Sequence, residues 1–402
     1  MNWKQLVFFV ATFASSIGDA LLYFALPLGL GLERNSIQAS ISLFLIPAIS
    51  ILLSTFLAKK ISQRLQSSRK DYSKLLLGVA FLELIIAMLI LLSDSPNFRY
   101  GLILLFVAIY AFAKEGLPKL FYSVAMFRHF FTAQEYNRVV GFNGALAIAA
   151  GFFGTLASGA LIHFGTWKWA LIIDSATFLA LGGTLFFLGK DFNTDESLSG
   201  NALPEIELNS IKTKRNISLA VPMIIGIQSL FWTFVPLLST KLGIGSLSKN
   251  VLLMGVFKLP GLILGLFFGK LSQKYSTDSF ITVFPILVFC SSLLFLIYPS
   301  EFTFIIIILT GGLVSGLYWP ADTLARSRLA GKELIKFNRQ VLFWFAGAQL
   351  VACCMAIIVF TQENYLPLLK AAILIFCGGL LAFHRFYFTK FNRLSSSKWI
   401  YK

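Results

Sequence analysis

Charge is what this chain has least of. Only 13% of its 402 residues are charged, where a soluble domain carries about 25%. Acids are the scarcer sign, 18 Asp and Glu against 34 Lys and Arg, for a net charge of +16. With 57% of residues hydrophobic, this composition excludes an ordinary soluble domain. Cysteine is rare as well. Cys290, Cys353, Cys354 and Cys377 all lie in apolar runs without a Cys-x-x-Cys pair, which excludes a disulfide or thiolate–metal framework and leaves small apolar packing residues. The three histidines, His129, His163 and His384, stand far apart and make no metal site. No Gly-x-x-x-x-Gly-Lys-[Ser/Thr] loop occurs, so ATP held on such a loop does not drive the protein. No catalytic triad is apparent either. The expectation is a protein that is not an enzyme and has no cofactor and no metal.

What the chain does have is long apolar runs. Stretches of 18 or more apolar residues read as membrane-spanning helices. Twelve such spans are predicted, at 6–32, 37–57, 75–93, 101–123, 141–163, 166–188, 218–240, 250–269, 279–298, 302–323, 341–361 and 365–386. The first is too long for a cleaved signal peptide and lacks a small-residue cleavage site, so it stays as a span. The basic residues sort by side. Arg34, Arg99, Lys168, Lys241 and Lys249 fall on one set of loops, and most of the others fall on the opposite set. Cytoplasmic loops carry the Lys and Arg excess, so both termini are expected in the cytoplasm. The net positive charge is then a matter of topology, and the tail from Arg385 to Lys402 anchors on anionic lipid. Nucleic acid is not an expected partner, since no soluble segment interleaves basic and aromatic residues.

The chain also repeats. Lys60-Ile61-Ser62-Gln63-Arg64 returns as Lys270-Leu271-Ser272-Gln273-Lys274, each after an apolar run. Asn137-Arg138-Val139-Val140 returns as Asn338-Arg339-Gln340-Val341, and Leu26-Pro27-Leu28 as Val235-Pro236-Leu237. The offsets are close to half the chain length. Residues 189–217 form the one long polar stretch between spans, with Asp195, Glu196, Glu205 and Glu207 among Ser, Asn and Gly, the composition of a hydrated linker. The expected organisation is an N-terminal six-helix bundle (1–188), a cytoplasmic linker (189–217), a C-terminal six-helix bundle (218–388) and a basic tail (389–402). Two similar halves in a membrane point to a transporter with its substrate site between them.

These residues resemble the major facilitator superfamily over the whole chain. Its signature after the second span, Gly-x-x-x-Asp-Arg-x-Gly-Arg-[Arg/Lys], is similar to Ala58 to Arg64 and to Gly269 to Lys274. Gln63 and Gln273 stand where the signature has its acid. Ser15 to Pro27 and Asn143 to Phe178, with Ile173-Asp174-Ser175-Ala176-Thr177-Phe178, are similar to the branch of enterobactin exporters and macrolide efflux proteins. The resemblance implies an all-α membrane fold, two pseudo-symmetric six-helix bundles of twelve helices in all, and alternating access. It also implies that spans 5 and 8, and spans 2 and 11, meet between the halves.

Small residues at every fourth position share one helix face and let backbones approach closely in lipid. Span 8 has Gly261, Gly265 and Gly269; span 5 has Gly151, Thr155 and Gly159; span 2 has Ser50, Ser54 and Ala58; span 11 has Ala348, Ala352 and Ala356. These faces are expected either at the interface between halves or inside one bundle.

Asp19, Glu83, Lys114, Glu115, Asp174, Lys258 and Asp322 lie inside predicted spans. Each costs about 2.5–3.5 kcal/mol at mid-bilayer, so each needs a partner, water or a function. Asp19, Glu115 and Glu83 are the candidates for loading and releasing a proton. Repeat alignment sets Gln228 opposite Asp19, and the resemblance puts both of their helices at the cavity. Asp19, Lys114, Gln228, Trp232, Lys258, Tyr318 and Trp319 are the candidate substrate contacts. For Asp19 and Lys258 the alternative is a structural hydrogen bond or ion pair; Asp174 is read as fastening the sixth span. Lys60, Arg64, Lys270, Lys274, Asp322 and Arg339 form the expected cytoplasmic gate.

The functional expectation is a monomeric, multi-pass transporter of the bacterial inner membrane, with a small molecule, protons and membrane lipid as its partners. It exports an amphipathic or anionic compound, a siderophore first and a drug second. The alternative is import of a ferric siderophore or another small nutrient.

Overall fold

The structure is a computed structural model describing residues 3–34, 37–65, 69–116, 133–188, 235–236, 238–240, 242–256, 258–274, 287, 290–295, 297–327 and 331–360. Ten helices organise these residues. They are α1 (Trp3–Arg34), α2 (Ile37–Leu65), α3 (Arg69–Leu92), α4 (Pro96–Tyr110), α5 (Ala133–His163) and α6 (Trp169–Phe187). In the second half they are α7 (Leu247–Val256), α8 (Leu259–Lys274), α9 (Glu301–Ser327) and α10 (Gly331–Phe360). Among the described residues no strand occurs. Eight segments are long and apolar enough to cross a membrane, with α7 and α8 together making one of them. Predicted spans 218–240, 279–298 and 365–386 lie wholly or largely outside the described residues, as do the linker and the tail.

Every backbone polar group in a bilayer must find an internal partner, which is why the apolar runs become helices. Their outer faces carry large apolar side chains such as Phe56, Phe81, Leu92, Phe187, Phe267 and Phe302, all exposed. Lipid is the solvent that suits such a surface.

Two predicted spans depart from a regular α-helix. The fourth widens after Tyr110 into a π-helical turn, Ala111–Gly116, that carries Lys114 and Glu115. The eighth span breaks between Val256 and Leu259. Pro260 cannot donate to the Val256 carbonyl, and the Lys258 N–H bonds Gly255 O at 3.0 Å in a tighter turn.

The repeat is visible in hydrogen bonds. Ser40 Oγ donates to the carbonyl of Pro27 at 2.7 Å, and Asn250 Nδ2 donates to the carbonyl of Pro236 at 3.4 Å. Each bond ties the start of one span to the proline of the span before it, at corresponding places in the two halves. Independently of the repeat, the helices ending at residues 163 and 240 close in the same way. Gly165 (φ 68°) and Gly243 (φ 78°) adopt the left-handed conformation, and Thr166 N to Leu161 O and Ile244 N to Ser239 O close the same six-residue loop. Only a residue without Cβ does this at low cost.

Within the first half, α1 packs against α5, α6 and α2, while α3 packs against α6 and α4. Two seams join the halves: α5 lies against α7, α8 and α9, and α2 lies against α10. The contacts of α5 with α7 and α8, and of α2 with α10, are the pairings that the family resemblance implied; the contact of α5 with α9 is additional. The small-residue faces divide between the two expected roles. Gly159 meets Leu252, and Gly265 meets Ala145 and Ile148, across the first seam. Ala352 and Ala356 pack with Ile41 and Phe44 across the second. Ser54, in contrast, faces Gly116 inside the first half, and Gly261 faces Gly312 and Gly316 of α9 inside the second. There the backbones touch, and a Cβ on Gly316 would strike the Gly261 carbonyl, a group that cannot move aside. Gly316→Leu is therefore expected to lower the yield of folded protein severely, while Gly78→Leu, where a Cβ meets nothing within 4 Å, is tolerated; fluorescence size-exclusion profiles of detergent extracts check this.

At the end of the molecule formed by residues 28–34, 93–99, 164–169 and 242–249, one apolar cluster runs from Leu28, Leu30 and Trp167 to Val235, Ile244 and Leu247. Glu33 ties this rim together, accepting from Arg99 and pairing with Lys168 at 3.1 Å. These pairs are partly exposed and contribute at most about 1 kcal/mol each. They fix how α1, α4 and α6 meet more than they stabilise the fold.

Candidate substrate and coupling site between the halves

The middle of α1 presents its polar and aromatic residues to both seams. On one side, Asp19 accepts a hydrogen bond from Tyr110 Oη of α4 at 2.9 Å. Tyr110 also packs against the cluster of Ile51 on α2 with Leu342 and Ala346 on α10. Tyr23 stacks edge-on against Phe44, with ring centroids 5.6 Å apart, beside Cys353, Ala352 and Ala356 of α10. The Asp19–Tyr110 pair therefore adjoins the second seam, and Asp19 is half-buried there.

On the other side sits Lys258. The break between α7 and α8 puts this residue at the start of α8, and its side chain crosses the first seam. Its ammonium donates to Thr155 Oγ1 at 2.7 Å and to Gly151 O at 3.3 Å, both on α5. It also lies 4.8 Å from the centroid of the Phe24 ring on α1. The Thr155 hydroxyl spends its own hydrogen on Gly151 O at 2.6 Å, which leaves a lone pair for the lysine. All of these partners are neutral. A hydroxyl, a carbonyl and a ring face partly replace water around the cation, and none of them cancels its charge.

The structure thus brings Asp19 and Lys258 to the two seams on either side of α1. It does not bring Glu83 there. Glu83 is 0% exposed on α3, a helix that packs on α4 and α6 inside the first half. Asp174 is equally buried on α6, with its carboxylate 2.8 Å from where a Cβ on Gly18 of α1 would stand; this placement fits a fastening role. Lys114 and Glu115 lie in the π turn, which is packed against α2 and α3. Tyr318, Trp319 and Asp322 belong to α9, Lys60 and Arg64 to the last turns of α2, and Lys270 and Lys274 to those of α8. The side chains of all these, and Gln228 and Trp232 entirely, lie outside the described residues. Arg339 is exposed on α10.

Three polar residues of the site escape the sequence reading. Tyr110 looks like one more aromatic in an apolar run, and Thr155 like one more small residue in a packing face. The third is Gln349 on α10, which is 4% exposed, with no hydrogen-bond partner for Oε1 among the described residues. It falls one turn from Ala346 and one from Cys353, on the stripe that packs against α2. A buried acceptor left without a donor costs about 1–3 kcal/mol. A polar residue at a helical spacing from residues of the seam was the available signal.

Helical bundles that cross a membrane, meet along two seams and hold ionisable groups there have the architecture of a membrane transporter. The chain belongs to the major facilitator superfamily, whose family model matches residues 8–337. It is accordingly a multi-pass membrane protein with a small-molecule substrate. No curated protein matches it. Its fold is similar to that of a bacterial homologue of the iron transporter ferroportin in an outward-facing state, with a TM-score of 0.68 and 13% identity over 98% of this chain and 100% of that one. It is also similar to the human organic anion transporter MFSD10 (0.65 and 14%, over 96% of this chain and 100% of that chain). The E. coli fucose:proton symporter FucP scores 0.61 at 13% identity, over 96% of this chain and 98% of the other. At such identities these likenesses establish the fold alone.

Proposed function

We propose that the chain is a proton-coupled secondary active transporter of the bacterial inner membrane that exports an anionic or amphipathic small molecule by alternating access. A siderophore is the first candidate and a drug the second. The observation that carries this reading is Lys258, a membrane-embedded cation on the seam between the halves whose partners are neutral. An intramembrane cation held, among the described residues, by dipoles has a favourable place for an anion beside it. Carboxylate-bearing siderophores supply that anion, and cationic drugs do not.

Asp19 is the proposed proton carrier, with Tyr110 holding its carboxyl in place and Glu115 of the π turn as a second candidate. Tyr23, Phe24 and Phe44 offer an aromatic wall to the apolar part of the substrate. Lys114, Gln228, Trp232, Tyr318 and Trp319 are the proposed remaining contacts, and Lys60, Arg64, Lys270, Lys274, Asp322 and Arg339 the proposed cytoplasmic gate. The two halves, twelve helices with both termini inside, rock about the seams as a monomer.

The test compares a deletion strain with its parent under iron limitation, assaying secreted chelator and uptake of the iron-loaded chelator. Loss of secretion with uptake intact is the expected result. Normal secretion with failed uptake reverses the direction to import. If neither changes, the siderophore assignment is wrong.

A further inference from the structure

We infer that the Lys258–Thr155 hydrogen bond is a latch between the two halves of the transporter, and that Thr155 is the positioning residue that keeps it closed. The inference rests on the reading of Lys258 as an anion-binding cation and adds what that cation does when no anion is present.

Along the first seam the described glycine contacts are apolar or backbone: Gly159 with Leu252, Gly255 with Leu156, Gly265 with Ala145 and Ile148. Surfaces of this kind slide and separate gradually, because each contact is weak and none has a preferred direction. Lys258 is the exception. Midway along the seam, a side chain from the second half is directed at two acceptors of the first half, at 2.7 and 3.3 Å. Hydrogen bonds made by a charged donor are roughly twice as strong as neutral ones. They are also directional, so this one is either made or broken.

The local geometry prepares Thr155 for the part. Its hydroxyl hydrogen is committed to Gly151 O, so its oxygen faces the lysine as an acceptor, and the same carbonyl takes a second bond from the ammonium. The break in the helix ahead of Pro260 lets Lys258 leave the helix surface and reach α5. The Phe24 ring covers the ammonium from α1, so the three contacts of the cation among the described residues belong to the first half. An anion that captured the ammonium would compete with Thr155 for it. Substrate binding and release of the seam would then be one event, which is what alternating access requires: a ligand shifts a conformational equilibrium only through its differential affinity for the two states.

The experiment measures distances between spin labels across the seam by pulsed electron resonance, on the full-length protein in nanodiscs without ligand. The background lacks the four native cysteines. One label pair replaces Phe164 and Ser246 at one end of the seam, and a second replaces Phe142 and Phe267 toward the other. Thr155→Val, close in shape but without an acceptor, is expected to raise the population with separated halves at one of the two ends by about tenfold, the equivalent of about 1.4 kcal/mol. Thr155→Ser keeps the acceptor and is expected to restore the parent distribution. Lys258→Gln should open the seam at least as far, since it also gives up the bond to Gly151 O, and the double variant no further than Lys258→Gln, because the bond that Thr155→Val removes is already lost. Unchanged distances in Thr155→Val and Lys258→Gln would overturn the latch, as would effects that add. Should Thr155→Val fail to fold, Lys258→Gln and Thr155→Ser carry the test alone. Failure here leaves the anion reading intact, because that reading is tested separately by the substrate selectivity of Lys258→Ala.

Discussion

Replacing Asp19 with Asn is expected to abolish proton-driven flux while the protein remains at its normal level in the membrane. The substitution separates two properties that a carboxyl group combines. Asn retains an oxygen that accepts the Tyr110 hydrogen bond, so the contact between α1 and α4, 2.9 Å in the structure, survives. What Asn cannot do is bind and release a proton. An ionisable group inside a membrane costs a few kcal/mol unless it has a function or a partner. The neutral variant should therefore fold at least as well as the parent. The measurement is efflux of the secreted chelator from cells, and from vesicles with an imposed pH gradient. Undiminished pH-driven flux in Asp19→Asn would remove Asp19 from the mechanism. Tyr110→Phe is a milder companion that frees the carboxyl from its donor without deleting it, and a reduced rather than absent flux is expected.

The second large effect is expected from Lys258→Ala, and it is one of selectivity. Deleting one partner of a desolvated charge pair costs about 2–5 kcal/mol, or roughly 30-fold and more in affinity. Anionic substrates should lose that much, and neutral compounds of similar shape should lose little, since the Phe24 and Tyr23 rings remain. Matched inhibition assays with carboxylates and their methyl esters check this. Equal losses for both would reduce Lys258 to a structural contact. The variant also loses the bond to Thr155, so rate and affinity are to be read separately: a change in seam opening alters turnover for every substrate, whereas loss of the cation alters affinity for anions only.

Much of this protein is legible in its sequence because membranes impose a simple rule. An apolar run long enough to cross must be a helix, so α1, α2, α3, α5, α6 and α10 fall close to their predicted spans. The repeats were equally legible, and Pro27 and Pro236 prove to receive matching hydrogen bonds from Ser40 and Asn250. The irregular places were not. Pro27, Pro47 and Pro260 were visible, yet the first two are carried within helices and the third follows a break; which outcome holds depends on what the neighbours can bond, and that is a property of the packed state. The small-residue faces show the same limit. Spacing put Gly261 and Gly265 on one face, but only the packing of α8 between α5 and α9 sent Gly265 to the other half and Gly261 to its own.

The candidate site divides in the same way. Asp19 and Lys258 stood out by themselves, because a charge in an apolar run is rare and costly wherever it lies. Their sequence distance says nothing about their partners. Tyr110 lies 91 positions from Asp19, and Thr155 lies 103 from Lys258. Neither partner has any feature that sets it apart in a chain with 15% aromatics and many small residues. The sequence by itself determined that this is a membrane protein and which residues are too costly in lipid to be incidental, since both follow from transfer out of water, a property of each residue alone. Tertiary structure decided which helices form the seams, that Glu83 turns away from them, and that a lysine of one half is held by a threonine of the other. Those are matters of distance and direction between groups far apart along the chain, and only packing sets them.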